Sequence, residues 1–255
     1  MFEIENFLNN DDIRLKEESG PFKVVEYKRD LSVMPAQAQT EWFSSQLGIR
    51  RHQVVCELNQ QSVTVQAGAM QWMLGNITQK TDVGGVMDFA RKIGKSLVTK
   101  ENVVNSSFAG TGILALEPTY KHILLEDLRD WEGSVVMEDG MFLACSGTAK
   151  QKVVQRTNLS STVAGGEGLF NLCIFGEGIV CLESPVPREE LVSITLKDDV
   201  LKVDGSLAVA WSASLNFNVT SSSKSLIASA TTGEGLVNEF RGTGKVLLCP
   251  VSKTR

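Results

Sequence analysis

Short apolar runs rich in β-branched residues, bounded by glycine, proline and polar turns, dominate this chain. Phe22-Lys23-Val24-Val25-Glu26-Tyr27 follows Gly20-Pro21 and has strand composition. Val54-Val55-Cys56-Glu57-Leu58 and Ser62-Val63-Thr64-Val65, separated by Asn59-Gln60-Gln61, read the same way. A helix is expected in two places. Pro35 can open one that runs to Leu47 and ends at Gly48, with Trp42, Phe43 and Leu47 as its docking face. Val86, Phe89, Ala90, Ile93 and Leu97 fall on one face of a second, backed by Arg91, Lys92, Lys95 and Lys100.

One phrase occurs three times. Gly110-Thr111-Gly112, Gly176-Glu177-Gly178 and Gly242-Thr243-Gly244 each lead into an apolar run, and their first glycines are 66 residues apart both times. Two positions before the phrase stand Phe108, Ile174 and Phe240; six before it stand Val104, Phe170 and Leu236. An even separation along a strand places both on one face. Position −4 (Ser106, Leu172, Asn238) is not consistently apolar, so the stripe is pinned at two points. The glycines are expected at a bulge or tight reversal, where a Cβ would clash. No copy completes G-x-G-x-x-G or carries the P-loop lysine, so a phosphate-cradling role is excluded.

Upstream, Ala67-Gly68, Asp139-Gly140 and Asp204-Gly205 are expected as hairpin turns. Pro118, Pro185 and Pro250 follow the apolar runs and should close strands. The pattern predicts a mainly β chain with one or two short helices. Residues 1–52 form an N-terminal extension, and 53–252 one β domain of three pseudo-repeats, about 53–118, 119–185 and 186–252.

Composition adds mostly exclusions. Net charge is −5 with a pI near 5.2, which disfavours a nucleic-acid partner unless a basic patch is local. No apolar run approaches the ~20 residues that span a bilayer, and Met1-Phe2-Glu3-Ile4-Glu5 is neither a signal nor a transit sequence, so a cytoplasmic location is expected. Five cysteines (56, 145, 173, 181, 249) lack metal-ligand spacing and are expected as buried structural thiols. His52 and His122 are the only histidines, too few for a histidine metal cluster. Arg50-Arg51-His52 is the one tight basic cluster near an aromatic pair and is expected as a salt-bridged strand start. Glu167 and Glu234, each in a Gly-Glu-Gly, have no neighbouring acid or histidine and read as turn residues. No catalytic, cofactor-binding or metal residue is assigned.

Gly166-Glu167-Gly168-Leu169-Phe170 and Gly233-Glu234-Gly235-Leu236-Val237 resemble the signature of the altered-inheritance-of-mitochondria protein 24 (mitochondrial biogenesis) family. Ala67-Gly68-Ala69-Met70 with Gly75-Asn76-Ile77, and Val203-Asp204-Gly205-Ser206-Leu207-Ala208-Val209-Ala210-Trp211, resemble two further blocks, although Trp211-Ser212-Ala213 lacks the expected Asp-Pro. The resemblance covers about residues 53–250. It implies a bacterial-type member with a pseudo-repeated antiparallel β-sandwich or double-stranded β-helix similar to the tryptophan RNA-binding attenuation protein. It implies no agreed catalytic residues and no cofactor.

The expected function is a non-enzymatic, homo-oligomeric scaffold or interaction protein, with a trimer among the assemblies open to it. Peripheral membrane binding through the basic helix near 86–97 is the alternative, since a basic amphipathic helix can lie on an anionic surface. RNA binding follows only from fold analogy.

Overall fold

The computed structural model describes residues 2–81, 105–155, 170–204, 207–221 and 236–251. The helix expected at 86–97, Gly166-Glu167-Gly168, Gly233-Glu234-Gly235 and Gly205 lie outside the described residues. The rest is mainly β, built as two antiparallel sheets. Strands β1 (Ile13–Ser19), β2 (Phe22–Tyr27), β3 (His52–Gln66), β4 (Met70–Thr81), β5 (Asn105–Leu116) and β6 (His122–Asp127) all belong to the first sheet. The chain then alternates. β7 (Ser134–Met137) crosses to the second sheet, β8 (Phe142–Ser146) returns, β9 (Lys150–Gln155) and β10 (Phe170–Phe175) cross again, and β11 (Ile179–Ser184) returns. β12 (Val192–Asp204), β13 (Ala208–Ser212), β14 (Asn216–Ser221) and β15 (Leu236–Leu248) complete the second sheet.

Strands of the central segment bury both faces, which explains why their sequences do not alternate. On β6, Ile123 and Leu125 join a core with Phe22, Val24 and Phe108, while Leu124 joins another with Trp131, Met137 and Leu182. On β7 and β10, Val136 and Cys173 face a third core with Trp211 and Phe240, while Val135 and Ile174 face the second. Phe108, Ile174 and Phe240, one of the two expected stripe positions, are all fully buried; the burial of Val104, Phe170 and Leu236 lies outside what is described. Pro118, Pro185 and Pro250 each lie just beyond a strand end.

All six phrase glycines have positive φ, from +110° to +158°. In β5, Gly110 and Gly112 face Gln61 and Leu58 of β3 on one side and Ile77 and Gly75 of β4 on the other. Opposite them β3 has a bulge: its register shifts between Asn59 and Gln61, and Gln60 is left-handed at φ +54°. The Gln60 N–H donates to Thr111 Oγ1 at 3.2 Å. The same device appears in β12, where the register shifts between Leu196 and Asp199, Asp198 has φ +52°, and its N–H donates to Thr243 Oγ1 at 3.0 Å. In the middle segment Glu132 has φ +54°, and the Gly176 N–H donates to the Gly133 carbonyl at 2.9 Å. There the threonine is Glu177, and β10 and β11 part into different sheets. Thr111→Val and Thr243→Val should each lower stability by about 1 kcal/mol, with serine restoring it, because one solvent-near hydrogen bond is lost. Urea unfolding reads this directly; no loss in either variant would show that the hydroxyl does not support the bulge.

The glycine turns upstream are not hairpins. Gly68 and Gly140 have φ of +80° and +76° and do turn the chain, but Asp139 stays at negative φ, so the second is no type I′ turn. β3 and β4 both run antiparallel to β5, which lies between them, and therefore cannot pair antiparallel with each other. β7 and β8 enter different sheets.

The N-terminal helix forms as a 3-10 turn at Pro35–Gln37 followed by α1 (Ala38–Gln46), and Gly48, at φ +77°, follows its end. Its expected docking face is not covered by any of the described residues. Trp42, Phe43 and Leu47 are 63%, 59% and 79% exposed. The helix is tied instead through polar contacts, with the Tyr120 hydroxyl donating to the Glu41 carboxylate at 3.1 Å.

Candidate functional site

Arg14, Glu26 and His52 lie directly across from one another on β1, β2 and β3. This cross-strand row places opposite charges side by side. Lys16 joins it because β1 bulges between Leu15 and Glu17, which leaves Lys16 outside the ladder. The Glu26 carboxylate, nearly fully buried, receives Arg14 at 2.9 Å, Arg50 at 3.4 Å and Lys16 at 3.7 Å. Burial alone would raise the Glu26 carboxyl. Arg14, Lys16, His52 and Arg50 together hold it below its ordinary range.

His52 has no exposed surface. The Lys16 ammonium donates to its Nε2 at 3.3 Å, and its Nδ1–H donates to the Lys121 carbonyl at 3.0 Å. That pairing fixes the neutral tautomer. Burial, then Lys16 and His122, push its pKa down to about 4 against the pull of Glu26. The His122 ring lies 5.2 Å from that of His52, and burial and Lys16 lower its pKa too. Its Nδ1 is buried without a hydrogen-bond partner.

Arg14, Lys16, Glu26, Arg50 and His122 floor an open cleft of about 490 Å³, with His52 buried and outside its lining. Leu47, Gly48 and Ile49, leaving α1, form one wall; Pro185, Val186 and Pro187, beyond β11, form the other, with Glu190 beside them. A second groove of about 320 Å³ runs along α1 between Trp42, Arg51 and Tyr120. There Arg51 pairs with Asp30 at 2.9 Å and lies over the Tyr120 ring at 5.1 Å. The Arg50-Arg51-His52 cluster is thus a salt-bridged strand start, with Arg50 lining both clefts, Arg51 the second and His52 buried.

The sequence reading pointed to Arg50 and His52 but missed Arg14, Lys16, Glu26, His122 and Glu190. One signal was available: Glu26 is a charge inside the apolar run of β2. All five cysteines are free and buried, and burial raises the thiols of Cys56, Cys145, Cys173 and Cys181. Among the described residues no group of three His, Cys, Asp or Glu side chains could hold a metal ion. No helix among them is long and apolar enough to cross a membrane.

An uncharacterized protein of Streptococcus pyogenes serotype M6 is 32% identical over 195 residues, which span 73% of this chain and 76% of that protein. The X-ray crystal structure of a Streptococcus pyogenes protein superposes with a TM-score of 0.57 at 29% identity, covering 80% of this chain and 89% of the other. Residues 46–251, which hold nearly every strand described above, match the family described as Mitochondrial biogenesis AIM24, and this chain belongs to that family.

Proposed function

We propose that this protein is a non-enzymatic β scaffold of three repeated units, acting in the cytoplasm, that associates with further copies of itself through the N-terminal helix. The observation that carries the reading is the exposure of Trp42 and Phe43, two large side chains on one short helix, each more than half exposed. A second copy is favoured as the partner because the chain carries a complementary apolar region. Phe2, Leu8 and Met73 are 46%, 45% and 43% exposed, and Phe7 packs edge-on against Trp72 in the same region. Among the described residues β4 pairs only with β5, and from Met70 to Gln79 it carries no charged residue. The other long outer strand, β12, carries Lys197, Asp198, Asp199 and Lys202, which guard an edge against pairing.

Light scattering across micromolar concentrations should show a defined oligomer. Trp42→Glu with Phe43→Glu should weaken it at least tenfold (about 1.4 kcal/mol) without changing circular dichroism. A monomeric wild type, or a variant with unchanged mass, would overturn the reading. Co-sedimentation of a monomeric wild type with anionic liposomes would favour the membrane alternative instead.

A further inference from the structure

We propose that the cleft over Glu26 binds a monoanionic carboxylate with an apolar body, such as a medium-chain carboxylate. Three independent features converge there. The first is charge. Arg14, Lys16 and Arg50 line the cleft with two carboxylates, Glu26 and Glu190, and both histidines are neutral at pH 7. One positive charge is left over, which a monoanion neutralises and a dianion overshoots.

The second is donor geometry. Glu26 occupies one Nη of each arginine, at 2.9 Å for Arg14 and a longer 3.4 Å for Arg50. Each guanidinium carries five N–H groups in a planar fork suited to a carboxylate. His122 lines the same cleft, and its buried Nδ1 lacks a partner. That nitrogen has no accessible surface, so the two guanidinium groups are what meets the carboxylate.

The third is the wall. Above the charged floor stand Leu47, Ile49, Pro185, Val186 and Pro187, with Leu47 and Ile49 79% and 46% exposed. A volume of about 490 Å³ is in the range of small-molecule sites. A fully polar anion would leave these walls wet, and a neutral alkyl chain would leave the cationic floor unanswered. Only an amphiphilic anion uses both.

The cleft shares Leu47 with the exposed face of the helix but neither Trp42 nor Phe43 lines it, so the variants that test the two readings differ. Isothermal titration of the full chain with decanoate, decanol, acetate and inorganic phosphate tests it. Decanoate should bind at least tenfold more tightly than each of the other three. Arg14→Gln and Arg50→Gln should each weaken decanoate at least tenfold, and Ile49→Ser should weaken decanoate while leaving acetate unchanged. Arg14 reaches Glu26 from a half-exposed position and leaves Arg50 and Lys16 in place, so this variant keeps the carboxylate paired. Equal affinity for decanol, tighter binding of phosphate, or indifference of a folded Arg14→Gln protein would overturn the proposal.

Discussion

Gly110→Ala is expected to unfold the protein or cost at least about 4 kcal/mol, whereas Gly242→Ala, at the matching position of the third phrase, should cost only about 1–2 kcal/mol. Both glycines adopt conformations that L-residues disfavour, φ +143° and +119°. Their surroundings differ. A Cβ on Gly110 would be driven into the Asn76 carbonyl oxygen and lie 3.0 Å from its carbon and 3.1 Å from Ile77 Cα. These are backbone atoms of β4, held in register with β5 on both sides of the contact, and they cannot rotate away. A Cβ on Gly242 meets nothing within 4 Å. Strain is therefore the only cost at 242, while 110 adds a steric overlap that requires separating two strands. Denaturant unfolding of the two variants measures the difference. Comparable losses in both would show that the close approach of β4 to β5 at Gly110 does not control folding.

That contrast also shows what could be read from the sequence. The 66-residue spacing marked all six glycines as backbone positions, and a Cβ clash was the expected reason. It holds for Gly110, Gly112, Gly178 and Gly244 and fails for Gly176, whose nearest neighbour would be 3.4 Å from a Cβ, and for Gly242; at these two conformation alone asks for glycine. The partner bulges at Gln60 and Asp198 left no trace in sequence, because a hydroxyl from a distant strand supports a left-handed residue that need not be glycine. The hairpin expectation failed for a related reason. A turn residue reports local φ, but which strands then pair is decided by the sheet that holds them.

The cleft was legible only in fragments. Arg14, Glu26 and His52 meet through the pairing register of β1, β2 and β3, while His122 comes from β6, which pairs with β11, and no local motif spans the four. The helix expectation succeeded for existence and end, with Gly48 at positive φ, and failed for docking. Trp42, Phe43 and Leu47 were correctly seen as an apolar group. Periodicity shows that a helix has such a group but not whether its own chain supplies the opposite surface.

Lowering the pH from 7.5 to 4.5 should remove about 2–3 kcal/mol of stability through His52, and His52→Gln should lose much less over the same range. The sign follows from which form the fold holds. Burial and the Lys16 ammonium favour the neutral ring, so its pKa is about 4 when folded and near the ordinary 6.5 when unfolded. A folded state that resists protonation is fully favoured above pH 6.5. It loses that advantage at up to about 1.4 kcal/mol per pH unit as the pH falls toward 4, and below that both states are protonated. The groups facing the ring are Lys16 from β1, Glu26 from β2, His122 and the Lys121 carbonyl at the start of β6, with Arg14 and Arg50 acting through Glu26. His122 shares the direction of shift, so His122→Gln serves as the control that removes its share. Glu26, held low by its cations, stays ionised until more acidic pH and favours the fold throughout the range tested. Urea midpoints measured in half-unit steps give the two slopes. Parallel curves for wild type and His52→Gln would mean that the ring takes up its proton without leaving the fold, and that the Lys16–His52–Lys121 chain is not what keeps it neutral.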